Sequence, residues 1–175
     1  MNPIKDYIRK DLHILFVGFN PSIRSSQTGH HYANPNNRFW KILYLAGLTK
    51  EQLTPFDDQS LLQIGYGFTN IVARPTKAAS EITKEEYEEG RIQLQRKIKY
   101  FRPKIVCFVG KGVYLQYAKK KQSPWGFQDD PIIPGVQDFV APSSSGLVRM
   151  KLEEIVSIYK QLNDTMRKCL ETEHM

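Results

Sequence analysis

Apolar and polar positions follow two rhythms along this chain. Short, nearly unbroken apolar runs recur at His13–Phe19 (HILFVGF), Gly67–Ala73 (GFTNIVA), Lys104–Gly110 (KIVCFVG) and residues 137–142 (QDFVAP). Runs of this length, bounded by Gly, Asn or Pro, are the mark of buried strands. Between them lie segments of helical period. Residues 37–47 place Phe39, Ile42, Leu43 and Ala46 at helical spacing and end on Gly47, a natural helix C-cap. Residues 83–101 open with Thr83 and Glu86 at capping-box spacing. They carry Ile92, Ile98 and Phe101 as an apolar stripe, with Leu94 near its edge, and stop ahead of Pro103. Residues 111–121 form a further short helical segment. Residues 150–170 read as an amphipathic terminal helix presenting Leu152, Ile155, Val156, Tyr159 and Leu162. This alternation predicts an α/β fold with helices on both faces of a central, mainly parallel sheet. No repeat, linker or low-complexity segment divides the 175 residues, so one domain over 1–175 is expected.

In sheets of this kind ligands gather beyond the C-terminal strand ends. Two conspicuous loops fall there: residues 20–35 (NPSIRSSQTGHHYANP) after the first strand and residues 142–149 (PSSSGLVR) after the fourth. In the first, Asn20 offers an amide that holds a water or reads a heterocycle edge but cannot act as a general base near neutral pH. Ser22, Ser25 and Ser26 add hydroxyls, and Tyr32 adds a ring able to stack on a flat base. In the second, Ser143, Ser144, Ser145 and Gly146 offer hydroxyls and unhindered backbone N–H groups to phosphates. Leu147 is an apolar residue at an expected exposed tip with Arg149 close by, which is the equipment of a protein that wedges into a base stack. Each residue also has a plainer reading: an Asx-type turn before Pro21 for Asn20, ordinary packing for Tyr32, and a core-tucked Leu147 beside a solvated Arg149.

Composition narrows the chemistry. The net charge of +7 and pI of about 9.4 suit a polyanionic partner, and the charge is uneven, acidic in TKEEYEEG and basic in KYFRPK and YAKKKQ. Two cysteines support neither a disulfide framework nor a four-thiolate cluster, and Cys107 reads as a core thiol. The four histidines make no metal-ligand pattern. There is no dinucleotide fingerprint, no P-loop and no G-x-S-x-G elbow. Charges interrupt the N-terminal segment where a signal peptide would need an apolar run, and no run reaches membrane-spanning length, so a cytoplasmic protein free of membranes is expected.

Four stretches in combination resemble the mismatch-specific uracil/thymine-DNA glycosylases, a branch of the uracil-DNA glycosylase superfamily. They are GFNPS (Gly18–Ser22), TGHHYANPNNRFWK (Thr28–Lys41), ARPT (Ala73–Thr76) and PSSSGLVR (Pro142–Arg149), and the likeness runs from Leu12 to the terminal helix. The family's usual first motif is G-I-N-P-G, from which Phe19 and Ser22 depart while the Asn is kept. The resemblance implies a three-layer α/β/α sandwich. It also implies an enzyme that flips a mispaired or damaged pyrimidine out of duplex DNA and hydrolyses its N-glycosidic bond to leave an abasic site, with no metal and no cofactor, acting as a monomer. Asn20 would position the attacking water. Phe19, through its backbone, would stabilise the departing base, Tyr32 would stack on it, and Ser22, Ser25 and Asn70 would line its pocket. Ser143, Ser144 and Ser145 would grip phosphates. Gly146, Leu147, Val148 and Arg149 would fill the gap left by the flipped nucleotide and read the widowed guanine.

Two other functions compete: a non-catalytic binder of distorted or single-stranded DNA, and an α/β hydrolase or transferase acting on small nucleosides. Asn20 argues against the first, since a pure binder needs no placed water. The apolar Leu147 tip and the basic charge argue against the second.

Overall fold

The computed structural model of the chain describes residues 3–174. A five-stranded sheet of order β2-β1-β3-β5-β4 forms its centre. The strands are β1 (Ile14–Gly18), β2 (Tyr66–Asn70), β3 (Ile105–Val109), β4 (Gly126–Phe127) and β5 (Gln137–Ala141). The first three and β5 run parallel, and only the short edge strand β4 is antiparallel to its neighbour. The helices are α1 (Ile23–Thr28), α2 (Phe39–Leu45), α3 (Lys84–Phe101), α4 (Lys111–Ala118) and α5 (Leu152–Glu173), with a 3-10 helix over Pro55–Ile64.

Strand period explains the layering. Ile14, Phe16, Phe68, Ile105, Cys107, Val109 and Phe139 face one side and pack against Phe39, Ile42 and Leu43 of α2 and Ile155, Tyr159 and Leu162 of α5. Leu15, Val17, Val106, Phe108 and Val140 face the other and meet Leu94 and Ile98 of α3 and Val113, Tyr114 and Tyr117 of α4. Every residue of β1 and β3 is therefore buried, as expected of a parallel strand covered on both faces. The fold is the α/β/α sandwich that the sequence pattern and the resemblance predict. Among the described residues, no helix is long and apolar enough to cross a membrane.

Several boundaries differ from the pattern. The second strand lies at Tyr66–Asn70 rather than Gly67–Ala73, because the chain beyond Asn70 bends across the end of β1, where Ile71 and Val72 donate to the carbonyls of Gly18 and Phe19. Helix α3 keeps its capping box, with the Glu86 N–H donating to Thr83 Oγ1 at 3.2 Å and the Thr83 N–H to the Glu86 carboxylate at 2.8 Å. Its buried face, however, is Leu94 and Ile98, and Ile92 is exposed. The 3-10 helix, α1 and the two-residue β4 have no apolar rhythm of their own to announce them.

One carboxyl sits in the second core. Asp138 is 1% exposed and accepts the Ile132 N–H at 3.1 Å. Burial pushes it up to about 6. The folded chain thus holds this proton more tightly than the unfolded chain, and the group's contribution to stability falls as pH rises from the ordinary carboxyl range to about 6. Asp138→Asn cannot ionise and keeps an acceptor for Ile132. Its stability relative to the parent should therefore improve by about 2–3 kcal/mol between pH 4 and pH 8, at about 1.4 kcal/mol per pK unit. Chemical denaturation at the two pH values measures this, and a pH-independent difference would contradict it.

Candidate active site

Strands β2 and β3 flank β1, and the chain passes from β1 to β2 on one side before crossing back to β3 on the other. Such a reversal opens a crevice beyond the strand ends. Here it is a cavity of about 630 Å³, within the range that takes a nucleotide-sized ligand. Its wall includes Gly18–Ser22, Tyr32, Arg38, Asn70, Thr76 and Ser143–Leu147. The two loops singled out in the sequence therefore meet at one site.

Asn20 is the best-determined polar group in it. Its Nδ2 donates to the Arg74 carbonyl and to Thr76 Oγ1, each at 2.7 Å. The Arg74 carbonyl can only accept. The Thr76 hydroxyl spends its hydrogen on the Ala78 carbonyl at 2.8 Å, so it too accepts from Asn20. Both amide hydrogens are thereby committed and the orientation of the amide is settled. Oδ1 has no hydrogen-bond partner among the described residues and is the end left for a ligand or a water. The partners are held in turn: Arg74 meets Glu86 through Nε at 2.5 Å and Nη2 at 3.1 Å, and Glu86 completes the capping box of α3 opposite Thr83. This bidentate contact and the cap hold the Glu86 carboxyl down at about 2.

Gly18 ends β1 beneath the site. A Cβ there would come within 2.7 Å of Asn70 Oδ1 and 3.2 Å of the Tyr32 hydroxyl, so a larger residue would have to displace these side chains. Tyr32 has φ +54°, an unfavourable conformation for an aromatic residue. Its ring stacks on Phe39, with centroids 3.9 Å apart and planes at 13°. Its hydroxyl is buried without a partner, and burial pushes the phenol far above its ordinary range, so it remains a neutral O–H. His31, beside it, directs Nε2 to the Lys5 carbonyl at 2.8 Å, which requires the proton on that nitrogen. Burial lowers the affinity of this ring for a second proton.

Other residues named from the sequence have different surroundings from those expected. The Phe19 ring packs toward Gly112 and Tyr87, and the residue also lines the cavity. Ser22 and Ser25 line the cavity, yet their hydroxyls build the loop. Ser22 Oγ accepts from the Ser25 N–H and donates to Ser25 Oγ, which accepts the Ala33 N–H. Ser143 Oγ accepts from Ser145 N, Ser145 Oγ accepts from Leu147 N, and Ser144 is buried, so these serines shape their turn. Val148 is half-buried against the first core rather than pointing outward with the tip. Leu147 is 93% exposed, and Arg149 is exposed two residues on. Gly18, Arg38 and Thr76 belong to the site without having been singled out individually. Thr76 lies within the ARPT stretch, which was a marker without a role.

The family model of the uracil DNA glycosylase superfamily matches residues 5–168, and the chain belongs to that superfamily. A solution NMR structure from Methanosarcina acetivorans, of a protein provisionally named a uracil DNA glycosylase, shares the fold. It is 19% identical with a TM-score of 0.56, over 93% of this chain and 98% of that one.

The amide orientation is directly testable. Thr76→Val keeps the shape and removes the acceptor. One of the two Asn20 side-chain N–H protons should then lose its protection from solvent exchange in NMR spectra, with a stability loss of about 1 kcal/mol. Unchanged protection of both protons would mean that Thr76 does not hold the amide.

Proposed function

We propose that this chain is a monofunctional DNA glycosylase that extrudes uracil, or a thymine or modified pyrimidine, mispaired with guanine, and hydrolyses its N-glycosidic bond. The observation that carries this is the Asn20 amide. Both hydrogens are tied back into the protein, which leaves the carbonyl oxygen as the unbonded end of a residue that lines a nucleotide-sized cavity. A module that only gripped distorted DNA would need no such arrangement.

The chemistry follows from what the residues can do. The C1′–N bond breaks with its electron pair leaving on the base, and the sugar becomes oxocarbenium-like. Asn20 Oδ1 accepts a hydrogen from a water and aims the water's lone pair at C1′. The new C1′–O bond forms, and the water's surplus proton passes to solvent or to the departing base. The amide neither gains nor loses a proton. Main-chain donors near Phe19 and the neutral Tyr32 hydroxyl are suited to the negative charge that grows on the base. Asn70 stands beside Tyr32, where the edge of a base would lie. Leu147 would enter the stack as the nucleotide leaves, and Arg149 would face the guanine left behind. Extrusion costs a few kcal/mol and least at a mismatch, so selectivity comes partly from the lesion. The basic chain suits a phosphate backbone as partner.

The decisive experiment is single-turnover release of base from duplexes carrying U·G, T·G, U·A, ethenocytosine or hypoxanthine, followed by alkaline cleavage of abasic sites. Asn20→Ala should cut the rate by about 10²-fold or more with binding nearly intact. Asn20→Asp is more diagnostic. An ionised carboxylate would face the Arg74 carbonyl, acceptor against acceptor, so the variant should be poor at pH 8. It should recover toward pH 5, where a protonated carboxyl can donate to that carbonyl as the amide does. A variant matching the parent at pH 8 would show that a base, not an oriented amide, is wanted there.

Leu147→Ala should lose about 5–100-fold on U·A duplex, corresponding to roughly 1–3 kcal/mol of compensation for unstacking, and less on U·G. An equal loss on both would remove the wedge assignment.

A further inference from the structure

The loop that carries Leu147 is built on the segment ahead of α2. The Arg38 N–H donates to the Ser144 carbonyl at 2.9 Å. Gly146 lies so close that a Cβ would come within 2.6 Å of the Asn36 carbonyl oxygen. Inside the loop, Leu147 N and Val148 N donate to Ser145 Oγ and the Ser145 carbonyl, each at 3.2 Å. Two such contacts from within are slender support for a turn that keeps a leucine 93% exposed.

The Arg38 guanidinium spans the base of this turn. Its Nη2 stands 3.4 Å from the Ser145 carbonyl oxygen and 3.5 Å from that of Val148, the carbonyls on either side of the tip. Its Nε is buried without a hydrogen-bond partner. An orphaned buried donor is a cost that a lysine, which lacks this atom, would not bear. What lysine also lacks is the rigid guanidinium plane that fixes where the two Nη2 hydrogens point, since both carbonyls are reached by that one nitrogen.

We propose that Arg38 is the positioning residue of the Leu147 wedge, bracing both sides of the turn so that the tip stands raised before DNA arrives. A loose loop would have to be ordered during binding, and a braced one avoids that loss. This rests on the glycosylase reading for what the wedge does, and on geometry alone for what holds it.

Arg38→Lys separates the two, with Arg38→Gln as a second variant should the first not fold. In the free protein, the ¹⁵N order parameters of Leu147 and Val148 should fall from near the rigid value of about 0.85 toward about 0.6, while those of the strands stay unchanged. In single-turnover assays, the ratio of rates on uracil in a U·A pair to uracil in an unpaired bulge should drop about tenfold. In a Leu147→Ala background the same substitution should leave that ratio unaltered, since there is no tip to position. Unchanged order parameters at 147 and 148 overturn the proposal, whatever the activity. So does a loss of rate equal on both substrates, or one that persists without Leu147. A parent chain that releases no base overturns the glycosylase reading instead, and the order parameters still decide the brace.

Discussion

The crowding over Gly18 is the constraint around which the site is arranged: any side chain there would have to push Asn70 or Tyr32 aside. The Asn70 side chain and the Tyr32 hydroxyl converge on the space a Cβ would occupy. Two residues later Asn20 enters the same cavity. The bend after β2 completes the arrangement. Ile71 and Val72 donate to the carbonyls of Gly18 and Phe19, each at 2.9 Å, so the chain leaving β2 is stitched across the end of β1. That stitch delivers Arg74 and Thr76 to the Asn20 amide, and Glu86 at the start of α3 holds Arg74 from outside. Sheet order, helix cap and amide orientation are thus links of one chain of contacts.

The second feature is strain held in place by burial. Tyr32 combines a positive φ with a buried, unpartnered hydroxyl, and each is unfavourable alone. The surroundings leave it no alternative. Asp58, wholly buried, accepts the His31 N–H at 2.8 Å and faces His30 Nδ1 at 3.1 Å. His31 is tied to the Lys5 carbonyl, and the Ala33 N–H to Ser25 Oγ. With residues on both sides pinned, the ring is pressed flat on Phe39. A site built this way is shaped by its own packing.

The sheet and its covering helices were legible because burial writes itself into apolar spacing. β1 and β3 lie within one residue of the runs that marked them, and the Thr83–Glu86 cap appears as its spacing implied. The loop chemistry was legible by residue type but not by partner. Ser22, Ser25 and Ser143 read as ligand hydroxyls; in the structure they line the cavity and also bond within their own loops, which an isolated hydroxyl in a string does not announce. Ile92 fits the helical stripe as well as Leu94 does, and only the angle at which α3 meets the sheet buries one and exposes the other. Thr76 and Arg38 act on residues 56 and more than 100 positions away, distances over which local patterning has no reach.

The cavity wall contains no carboxylate among the described residues. His31, the one imidazole there, has its Nε2 proton committed to a carbonyl and resists further protonation. Tyr32 stays neutral, and Asn20 has no proton to take or lose near neutral pH. On the proposed reading, a site without a base cannot hurry a water, so bond breaking would run ahead of attack and its rate would depend on how well the departing base is received. Arg38 and Lys77, both on the wall, give the cavity a positive cast that suits an anionic leaving group. On the proposed glycosylase reading, the same poverty of base chemistry would leave an extruded normal nucleotide little affected while it waits. Discrimination would then fall to the steps before chemistry, the opening of the stack and the seating of the tip. That reading would account for the strain and buried polar contacts that hold Tyr32 and the Leu147 turn in place.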